Sequence, residues 1–388
     1  MDRAELLTKG KCRTSTDVFS AMLDAEIDVV IELIGGVNIA KDVVLQAISS
    51  GKQVITANKA LLAMFGNEIF AAAQKKGLMV GFEAAVAGGI PIIKALREGL
   101  AANRINWVAG IINGTTNFIL SEMRDKGLIF SEALEEAKRL GYAEADPTFD
   151  IEGVDAAHKI TIISALAFGV PMQYEQAYTE GISKLEATDI SYAEQLGYRI
   201  KLLGITRRRE QGFELRVHPT LIPECRLLAN VEGAMNAVLV QADAVGATLY
   251  YGKGAGAEPT ASAVIADLMD VARMLTADPE HRVPHLAFQD YHLQNVPALP
   301  ISEIETSYYL RLQVADQTGV LADITRILAN QDISIEAMLQ REPSQGTTDI
   351  IMLTHRTREA QVDVAIESIQ KLQAVQGDIT RLRMEELS

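Results

Sequence analysis

The N-terminal part of the chain alternates between short apolar runs and longer segments with helical spacing. Three of the runs predict buried strands: residues 27–36 (IDVVIELIGG), 53–58 (QVITAN) and 78–83 (LMVGFE). Apolar residues recur at helical spacing between them, at roughly 39–50 and 60–76. Buried strands separated by helices indicate a parallel, doubly wound sheet. Such a sheet binds ligands at the carboxyl ends of its strands, which here are Gly35-Gly36, Thr56–Lys59 and Glu83.

Two further domains are predicted beyond residue 83. Residues 84–251 mix helices with strands such as 103–113 and 213–222, which predicts a middle α+β domain. A segment with two prolines, 295–307, predicts a linker. After it the pattern is strand, helix, strand, strand, helix, strand, with a polar hairpin at 341–347, which is a ferredoxin-like arrangement. The predicted fold class is therefore α/β: a Rossmann-type parallel sheet, an α+β domain and a C-terminal ferredoxin-like domain. The predicted boundaries are 1–83 with about 252–295, then 84–251, and finally 302–388.

A glycine-rich turn, GKGAGA at 252–257, fits the loose pattern G-x-G-x-x-G/A. It follows a strand-like run and precedes a helical one, but no strand with an acidic residue follows about twenty positions on. Two interpretations are equally weighted: a turn that brings backbone close to a ligand or a helix, and a plain structural turn.

Acidic residues are concentrated at 143–159 (AEADPTFDIEGVDAAHK), immediately before a strongly apolar stretch. Asp146-Pro147 ends the preceding helix, because the residue before a proline is disfavoured in the α region. A new helix is predicted from about residue 150 to Phe168. At about 100° per residue, one face of this helix carries Glu152, Asp155, Lys159, Ile162, Ile163 and Leu166.

The Asp155–Lys159 spacing supports two interpretations. In one, the residues form an exposed i,i+4 ion pair worth ~0.3–0.5 kcal/mol. In the other, the apolar face desolvates Lys159, which becomes a candidate proton donor and acceptor. The neighbouring acids suit a cationic ligand group such as an amino-acid ammonium. A metal site is less favoured, because a single histidine and a lysine stand among the acids. His158 points about 100° away from Lys159 and is assigned a structural role.

Composition narrows the function classes. The 388 residues carry a net charge of −15, and the single basic run, Arg207–Arg209, is followed by Glu210. Binding to nucleic acid or to an anionic membrane is therefore disfavoured. Two distant cysteines, Cys12 and Cys225, suit a reducing compartment. The start lacks a signal-peptide core and the apolar run after Lys159 is too short to span a membrane, so a cytoplasmic protein is expected.

Several ordered motifs resemble the homoserine dehydrogenase family. The run AKRLGYAEADPTFDIEGVDAAHK is similar to the signature of that family, and ELIGG, ITANKALLA, FEAAVAGGIPII, GIINGTTNFIL and YYGKGAGAEPTASAV are similar to other family segments in the same order. Residues 302–388, with DQTGVLADIT, resemble the ACT regulatory domain of many bacterial members. The resemblance implies NAD(P)-dependent interconversion of L-aspartate 4-semialdehyde and L-homoserine, on the route to threonine, methionine and isoleucine.

The resemblance also implies roles for substrate-site residues. Lys159 is expected to be the general acid and base at the substrate oxygen, with Lys59 beside the nicotinamide and substrate to stabilise negative charge. Substrate binding is expected from Glu144, Asp150, Asp155 and Thr115.

The resemblance also implies which residues contact the cofactor and a cation. NADP or NAD is expected to contact Gly35, Lys59, Gly141, Glu144 and Gly256. A monovalent cation, Na⁺, is expected on the backbone of the loop that contains Glu83, Val86, Gly88 and Ile90.

The ACT-like segment implies regulation. An amino-acid effector, threonine by resemblance, is expected where the turn Asp316–Gly319 meets the following helix. The alternative is an ACT domain used only for assembly. The resemblance also implies that residues 84–251 form the domain for substrate binding and dimerisation. The apolar content of this middle domain is compatible with a homo-oligomer, either a dimer or a tetramer.

One departure separates this sequence from the family pattern. The N-terminal strand and its G-x-G-x-x-G turn are missing, so we expect weak NAD(P)H binding, and the NAD-versus-NADP preference is left open. A rival hypothesis is a non-catalytic amino-acid sensor derived from such an enzyme. The joint presence of Lys59, Glu144, Asp150, Asp155 and Lys159 argues against it. A different ACT-bearing amino-acid dehydrogenase does not explain the run DPTFDIEGVDAAHK.

Overall fold

A computed structural model describes Lys9, residues 11–341 and residues 346–388, which form two compact units. The first unit lies within Met1–Arg104, Thr161–Tyr174 and Lys253–Asn295, and the second within Ile105–Ile160, Glu175–Gly252 and Val296–Ser388. The predicted hairpin at 341–347 falls largely on residues 342–345, outside the described residues. None of the described helices is long and apolar enough to cross a membrane.

The helices and strands are labelled in chain order. The helices are α1 Val18–Leu23, α2 Asn38–Ser49, α3 Lys59–Lys75, α4 Ile92–Lys94, α5 Gly114–Lys126, α6 Phe130–Arg139, α7 Thr148–Ile151, α8 Val154–Phe168, α9 Ala187–Gln195, α10 Ala257–Met274, α11 Val320–Asn330 and α12 Glu359–Gln370. The strands are β1 Val29–Glu32, β2 Gln53–Thr56, β3 Val80–Gly81, β4 Ile105–Ile111, β5 Tyr178–Thr179, β6 Tyr198–Arg208, β7 Phe213–Pro223, β8 Met235–Ala242, β9 Ala247–Lys253, β10 Glu305–Ala315, β11 Ile335–Gln340, β12 Thr347–Thr354, β13 Thr357–Arg358 and β14 Val375–Met384.

The first unit contains a parallel sheet in the order β1-β2-β3, with α2 and α3 as the crossovers. Helix α10 packs on this sheet, and its apolar residues share a core with Ile55 and Ala84. The predicted parallel sheet is confirmed. Its first strand is shorter than predicted, because the Glu32 carboxylate accepts the N–H of Ile34 at 2.7 Å and turns the chain out of the sheet.

The second unit is built on one sheet, which joins eleven of the described strands in the main order β11-β12-β10-β14-β7-β6-β4-β8-β9. Strands β10 to β14 with α11 and α12 give the predicted ferredoxin-like pattern, which is confirmed. This part continues into the rest of the sheet because β14 pairs in parallel with β7, through Arg383↔Thr220 and Met384↔Leu221.

The predicted linker at 295–307 is wrong in part. The N–H of Phe213 donates to the carbonyl of Pro297 at 3.2 Å, and the N–H of Leu299 donates to the carbonyl of Phe213 at 2.8 Å. Strand β10 then begins at Glu305. The prolines therefore mark a segment that lies along a strand end, where their missing N–H groups cost no hydrogen bond.

The single helix predicted from about residue 150 to Phe168 is also wrong. Helix α7 ends at Ile151, Glu152 is its C-cap, and Gly153 has φ +81° before α8 begins at Val154. A left-handed residue interrupts the helical hydrogen bonds, and glycine adopts that conformation without a steric penalty. Glu152 therefore does not share a helix with Asp155 and Lys159.

Candidate active site

The N-terminus of α5 supplies the residue that organises the site. Asn113 is the N-cap, and its side-chain oxygen accepts the N–H of Thr116 at 2.9 Å. Its side-chain nitrogen donates to Asp150 at 2.7 Å and to Asp155 at 2.8 Å. Asparagine suits both tasks, because its amide carries an acceptor and two donors.

Lys159 lies on α8, one turn after Asp155. Its Nζ donates to Oδ2 of Asp155 at 2.7 Å and to the carbonyl oxygen of Ile112 at 2.7 Å. The two residues are buried, with 8% of Lys159 and 2% of Asp155 exposed. The alternative of an exposed ion pair is therefore wrong.

These contacts bring together three of the predicted site residues. We call Asn113, Asp150, Asp155 and Lys159 the Lys159 cluster. Asp155 Oδ2 accepts from both Asn113 and Lys159, and the half-buried Asp150 accepts from Asn113. The cluster thus places two carboxylates beside one ammonium, and carboxylate oxygens are acceptors that suit a cationic ligand group.

Thr115 and Glu144 lie at the side of the cluster. The Thr115 hydroxyl donates to the carbonyl of Tyr142 at 2.7 Å, which ties α5 to the loop after α6. Glu144 is on that loop, is exposed, and has no hydrogen bond to the cluster within the described residues. Gly141, also exposed, has φ +78° just after α6, as expected of a helix-ending glycine. The prediction that Asp146-Pro147 ends this helix is therefore wrong, because α6 ends at Arg139.

His158 is buried, and its ring centroid lies 5.5 Å from that of Phe149. This packing agrees with the structural role predicted for it.

In the first unit, a second polar network lies at the carboxyl ends of the parallel strands. The Thr56 hydroxyl donates to the buried Glu32 carboxylate at 2.6 Å and accepts the N–H of Asn58 at 3.0 Å. Asn58 caps α3 through the N–H of Leu61 and donates to the carbonyl of Gly36 at 2.6 Å. The strand ends are thereby fixed as a rigid edge.

Lys59 and Gly35 lie at this edge. Lys59 is the first residue of α3 and is half-buried. Gly35 and Gly36 both have positive φ, and the preceding Leu33 and Ile34 expose 60% and 53% of their surface. Exposed apolar side chains beside a glycine turn at the carboxyl ends of parallel strands suit a planar ring, so these residues fit a nicotinamide dinucleotide.

The glycine-rich turn 252–257 leads from β9 into α10. Gly256 is the N-cap of this helix, with φ 116° and ψ 155°, a conformation that favours glycine. Its neighbour Gly254 packs against Gly88, where an added Cβ would lie 2.5 Å from the Gly254 carbonyl oxygen. The turn therefore has a packing role, and it also presents the N-terminus of a long helix, which can bind a phosphate.

The loop expected to hold a cation contains Val86, Gly88 and Ile90, and Gly88 has a positive φ. It begins at Glu83, whose carboxylate accepts the N–H groups of Ile93 and Lys94 at 2.8 and 2.9 Å. Burial raises the pKa of Glu83 to about 7, against the two backbone hydrogen bonds. The side chain is thus committed to α4, and a cation here would depend on backbone oxygens.

The predicted effector turn is exposed at the start of α11. The Asp316 N–H donates to the carbonyl of Gly346 at 3.0 Å, and Gly319 is the N-cap, with φ 97°. Both residues are open to solvent.

Three residues of these networks were not predicted to have a role of their own: Asn113, Glu32 and Asn58. Each stands at a strand end or directly before a helix, and an Asn in that place is a cap signal. Glu32 is a charged residue inside an apolar run, which is itself unusual. Their partners are distant in sequence, so the capping signal alone could not reveal the networks.

Comparison with known proteins gives one consistent result. The family model described as homoserine dehydrogenase, NAD binding domain, matches residues 2–83; homoserine dehydrogenase matches 91–269; and the ACT domain matches 308–374. The homoserine dehydrogenase of Pseudomonas aeruginosa is 60% identical over 385 residues, which cover 97% of this chain and 89% of the relative.

Two solved structures extend the comparison. The crystal structure of a homoserine dehydrogenase from Thiobacillus denitrificans has a TM-score of 0.96 and 66% identity, covering 100% of this chain and 89% of that one. A hyperthermophilic archaeal homoserine dehydrogenase in complex with NADPH has a TM-score of 0.60 and 25% identity, over 70% of this chain and 82% of that one.

Proposed function

The chain belongs to the homoserine dehydrogenase family, and we propose that Lys159 is its proton donor and acceptor at the substrate oxygen. The protein is an oxidoreductase that acts on a CH–OH group with a nicotinamide cofactor, and it interconverts L-aspartate 4-semialdehyde and L-homoserine. The observation that carries the proposal is the buried Lys159 ammonium, held by Asp155 and the Ile112 carbonyl.

The geometry of Lys159 supports proton transfer. An ammonium has three donors, and two are used by Asp155 and Ile112, which leaves one for the substrate oxygen. A bound nicotinamide supplies the hydride that reduces the aldehyde carbon, or accepts it in the reverse direction. As negative charge develops on the oxygen, Lys159 gives it a proton; in homoserine oxidation the neutral amine takes the proton from the hydroxyl.

The carboxylates of the cluster are proposed to hold the substrate. Asp150 and Asp155, with Glu144 on the neighbouring loop, would bind the substrate ammonium, and Thr115 would contact the substrate from the start of α5. Support comes from the half-buried position of Asp150, which the Asn113 amide holds beside Asp155 and Lys159, and from the preference of carboxylates for cationic groups.

The cofactor is proposed to bind to a set of residues that differs in part from the substrate-binding set. Lys59 and Gly35 at the strand ends, Gly256 at the start of α10, and Gly141 and Glu144 on the loop after α6 are the proposed residues. NADP use is supported by the NADPH bound to the archaeal relative, and NAD is kept as the second choice. A Na⁺ ion on the backbone of Glu83, Val86, Gly88 and Ile90 is proposed from the family resemblance.

Regulation and assembly are also proposals. Threonine is proposed to bind at Asp316 and Gly319, where the N-terminus of α11 suits a carboxylate. A homo-oligomer is proposed because β9 ends the sheet among the described strands and exposes Tyr251. A cytoplasmic location is proposed because Cys12 and Cys225 are both free thiols.

The test is Lys159→Ala, with homoserine oxidation and homoserine binding measured separately. We expect kcat to fall by about 10²–10⁴-fold, while calorimetry still detects homoserine. The matched control is Lys201→Met, because Lys201 is another buried lysine of the same unit and lies outside the cluster. Near-normal kcat in Lys159→Ala would rule out the proposed role, and equal losses in both variants would indicate a folding effect.

A further inference from the structure

We propose that Arg383 and Gly181 are positioning residues for the Lys159 cluster. Through them the last strand of the ACT-like domain holds the break between α7 and α8, from which Asp155 and Lys159 project. This inference rests on the proposed function, because it takes the Lys159 cluster to be the reacting site.

Strand β7 is the shared element. Its pairing with β6 occupies one edge, so β5 and β14 pair with the opposite edge. Tyr178 and Thr179 of β5 lie beside residues 216–217, and Arg383 and Met384 of β14 lie beside 220–221. The end of the ACT-like domain and the segment that begins at Tyr178 are therefore consecutive along a single strand.

Arg383 joins these two segments by side-chain contacts. It is fully buried, and its Nε donates to Glu359 of α12 at 2.8 Å. Its Nη1 donates to Glu180 at 2.8 Å, and its Nη2 donates to the hydroxyl of Tyr178 at 2.9 Å. A guanidinium can hold both carboxylates at fixed geometry because its donors form a rigid planar fork. Displacement of β14 or α12 must therefore displace Glu180.

The segment after Glu180 packs directly on the helix break. The N–H of Ile182 donates to the carbonyl of Ile151 at 2.8 Å. Gly181 lies so close that an added Cβ would meet the Ile151 carbonyl oxygen, with Glu152 Cα at 2.5 Å and Oε2 at 2.6 Å. Gly153 packs in turn on Thr179, whose Cγ2 would lie 3.2 Å from an added Cβ.

The break controls where α8 begins. The carbonyl of Gly153 accepts the N–H of Ala157 at 2.9 Å, in the first turn of that helix. Asp155 lies in the same turn and Lys159 one turn later. A shift of Ile151–Gly153 is therefore transmitted to the two groups that meet the substrate, and reacting groups lose rate steeply when they are misplaced by about 1 Å.

The first test introduces a methyl group at the contact. Gly181→Ala should lower kcat/KM for homoserine by about 10–100-fold, with homoserine binding weakened in calorimetry and the KM for the cofactor unchanged. Gly99→Ala is the matched control, because Gly99 lies in a helical turn with no heavy atom within 4 Å of an added Cβ. Equal kinetics in the two variants would overturn the proposal.

The second test keeps the backbone intact. Glu180→Gln weakens the Arg383 contact and should lower kcat/KM for homoserine by at least about threefold. Glu186→Gln is its control, because Glu186 pairs at 2.8 Å with another arginine of the ACT-like domain, Arg311, but is not on the path to the break. No difference between these variants would overturn the role of Arg383, even if Gly181→Ala failed to fold.

The kinetics of these variants distinguish a wrong assignment of Lys159 from a wrong assignment of Arg383 and Gly181. If Lys159→Ala retains activity, the proposed function is wrong. If Lys159→Ala is inactive and Gly181→Ala and Glu180→Gln both match their controls, the proposed function stands and only the positioning role is lost.

Discussion

Two buried lysines of the second unit lie against the same helix, α5, and have different surroundings. Lys159 donates to the Ile112 carbonyl, beside the N-cap Asn113, and to Asp155. Lys201 of β6 donates to the Asn117 side chain at 3.1 Å and to the carbonyl of Val231 at 2.6 Å. Each ammonium therefore has one backbone and one side-chain acceptor, so burial and hydrogen bonding alone do not distinguish a reacting lysine from a structural one.

The two lysines differ in what holds the carboxylates near them. The acid near Lys201 is Glu232, whose Oε2 lies 3.5 Å from the Lys201 Nζ. The Glu232 carboxylate also accepts hydrogen bonds from both Nη atoms of Arg124, at 2.7 and 2.9 Å. Around Lys159 the acids are held by the neutral amide of Asn113. We call Asn117, Lys201, Glu232 and Arg124 the Lys201 cluster. In the Lys201 cluster one carboxylate lies beside two cations. In the Lys159 cluster a neutral amide joins two carboxylates, which we propose to be available to the substrate.

The largest expected effect is on stability and concerns Lys201. Burial lowers its pKa from 10.5 to about 8, with Glu232 opposing the shift and Arg124 adding to it. The folded pKa lies below the unfolded one, so this contribution to stability is complete above pH 10.5 and is lost as the pH falls through about 8. The free energy of unfolding, wild type minus Lys201→Met, should therefore rise by about 3 kcal/mol from pH 8 to pH 10.5.

Urea unfolding of both proteins across that window measures the difference. Methionine is the appropriate replacement, because it keeps the length of the side chain without a titratable group. If the free energies of unfolding of the two proteins changed in parallel with pH, folding would not lower the pKa of Lys201. The proposed electrostatic difference between the two lysines would then be wrong.

The next effect separates the two asparagines of α5. Asn113→Ala removes the hydrogen bonds to Asp150 and Asp155, so kcat/KM for homoserine should fall by about 10–100-fold. Asn117→Ala removes donations to the carbonyls of Val231, Gly233 and Met235. It should lower the melting temperature and leave kcat/KM nearly unchanged.

Steady-state kinetics well below both melting temperatures is the measurement. Loss of the Asn113 cap costs about 0.5–2 kcal/mol by itself, so the two variants are expected to be destabilised together. A kinetic loss of the same size in Asn117→Ala would mean that α5 affects activity through its stability and not through the Lys159 cluster.

Local patterns predicted the elements well. The parallel sheet follows from buried strands between helices. The ferredoxin-like part follows from the alternation of strand-like and helix-like hydrophobic periodicity along 308–384. The helix break at Gly153 was missed because i,i+4 periodicity continues across a single glycine. The pairing of β14 with β7 is a contact over more than a hundred residues, which short-range patterns do not encode.

The candidate site was predictable in its charges but not in its organisation. Asp155 and Lys159 are one turn apart, so their pairing follows from sequence spacing. Asn113 joins them from a distant helix, and its role depends on the tertiary approach of α5 to α8. The partners of Lys201 could not be predicted either, because Lys201 lies in an apolar strand and has no partner nearby in the sequence.

The smallest expected effect concerns one hydroxyl near each cluster. Thr115 donates to the Tyr142 carbonyl at 2.7 Å and steadies the loop that carries Glu144, so Thr115→Val should raise the KM for homoserine by a few-fold, about 1 kcal/mol or less. Ser121 donates to the Asn117 carbonyl at 2.8 Å and to Glu232 at 3.1 Å. Ser121→Ala should therefore cost a similar free energy of unfolding with no change in KM. If the two variants exchanged these signatures, with Ser121→Ala altering KM and Thr115→Val altering stability alone, the assignment of the Lys159 cluster to substrate and of the Lys201 cluster to structure would be reversed.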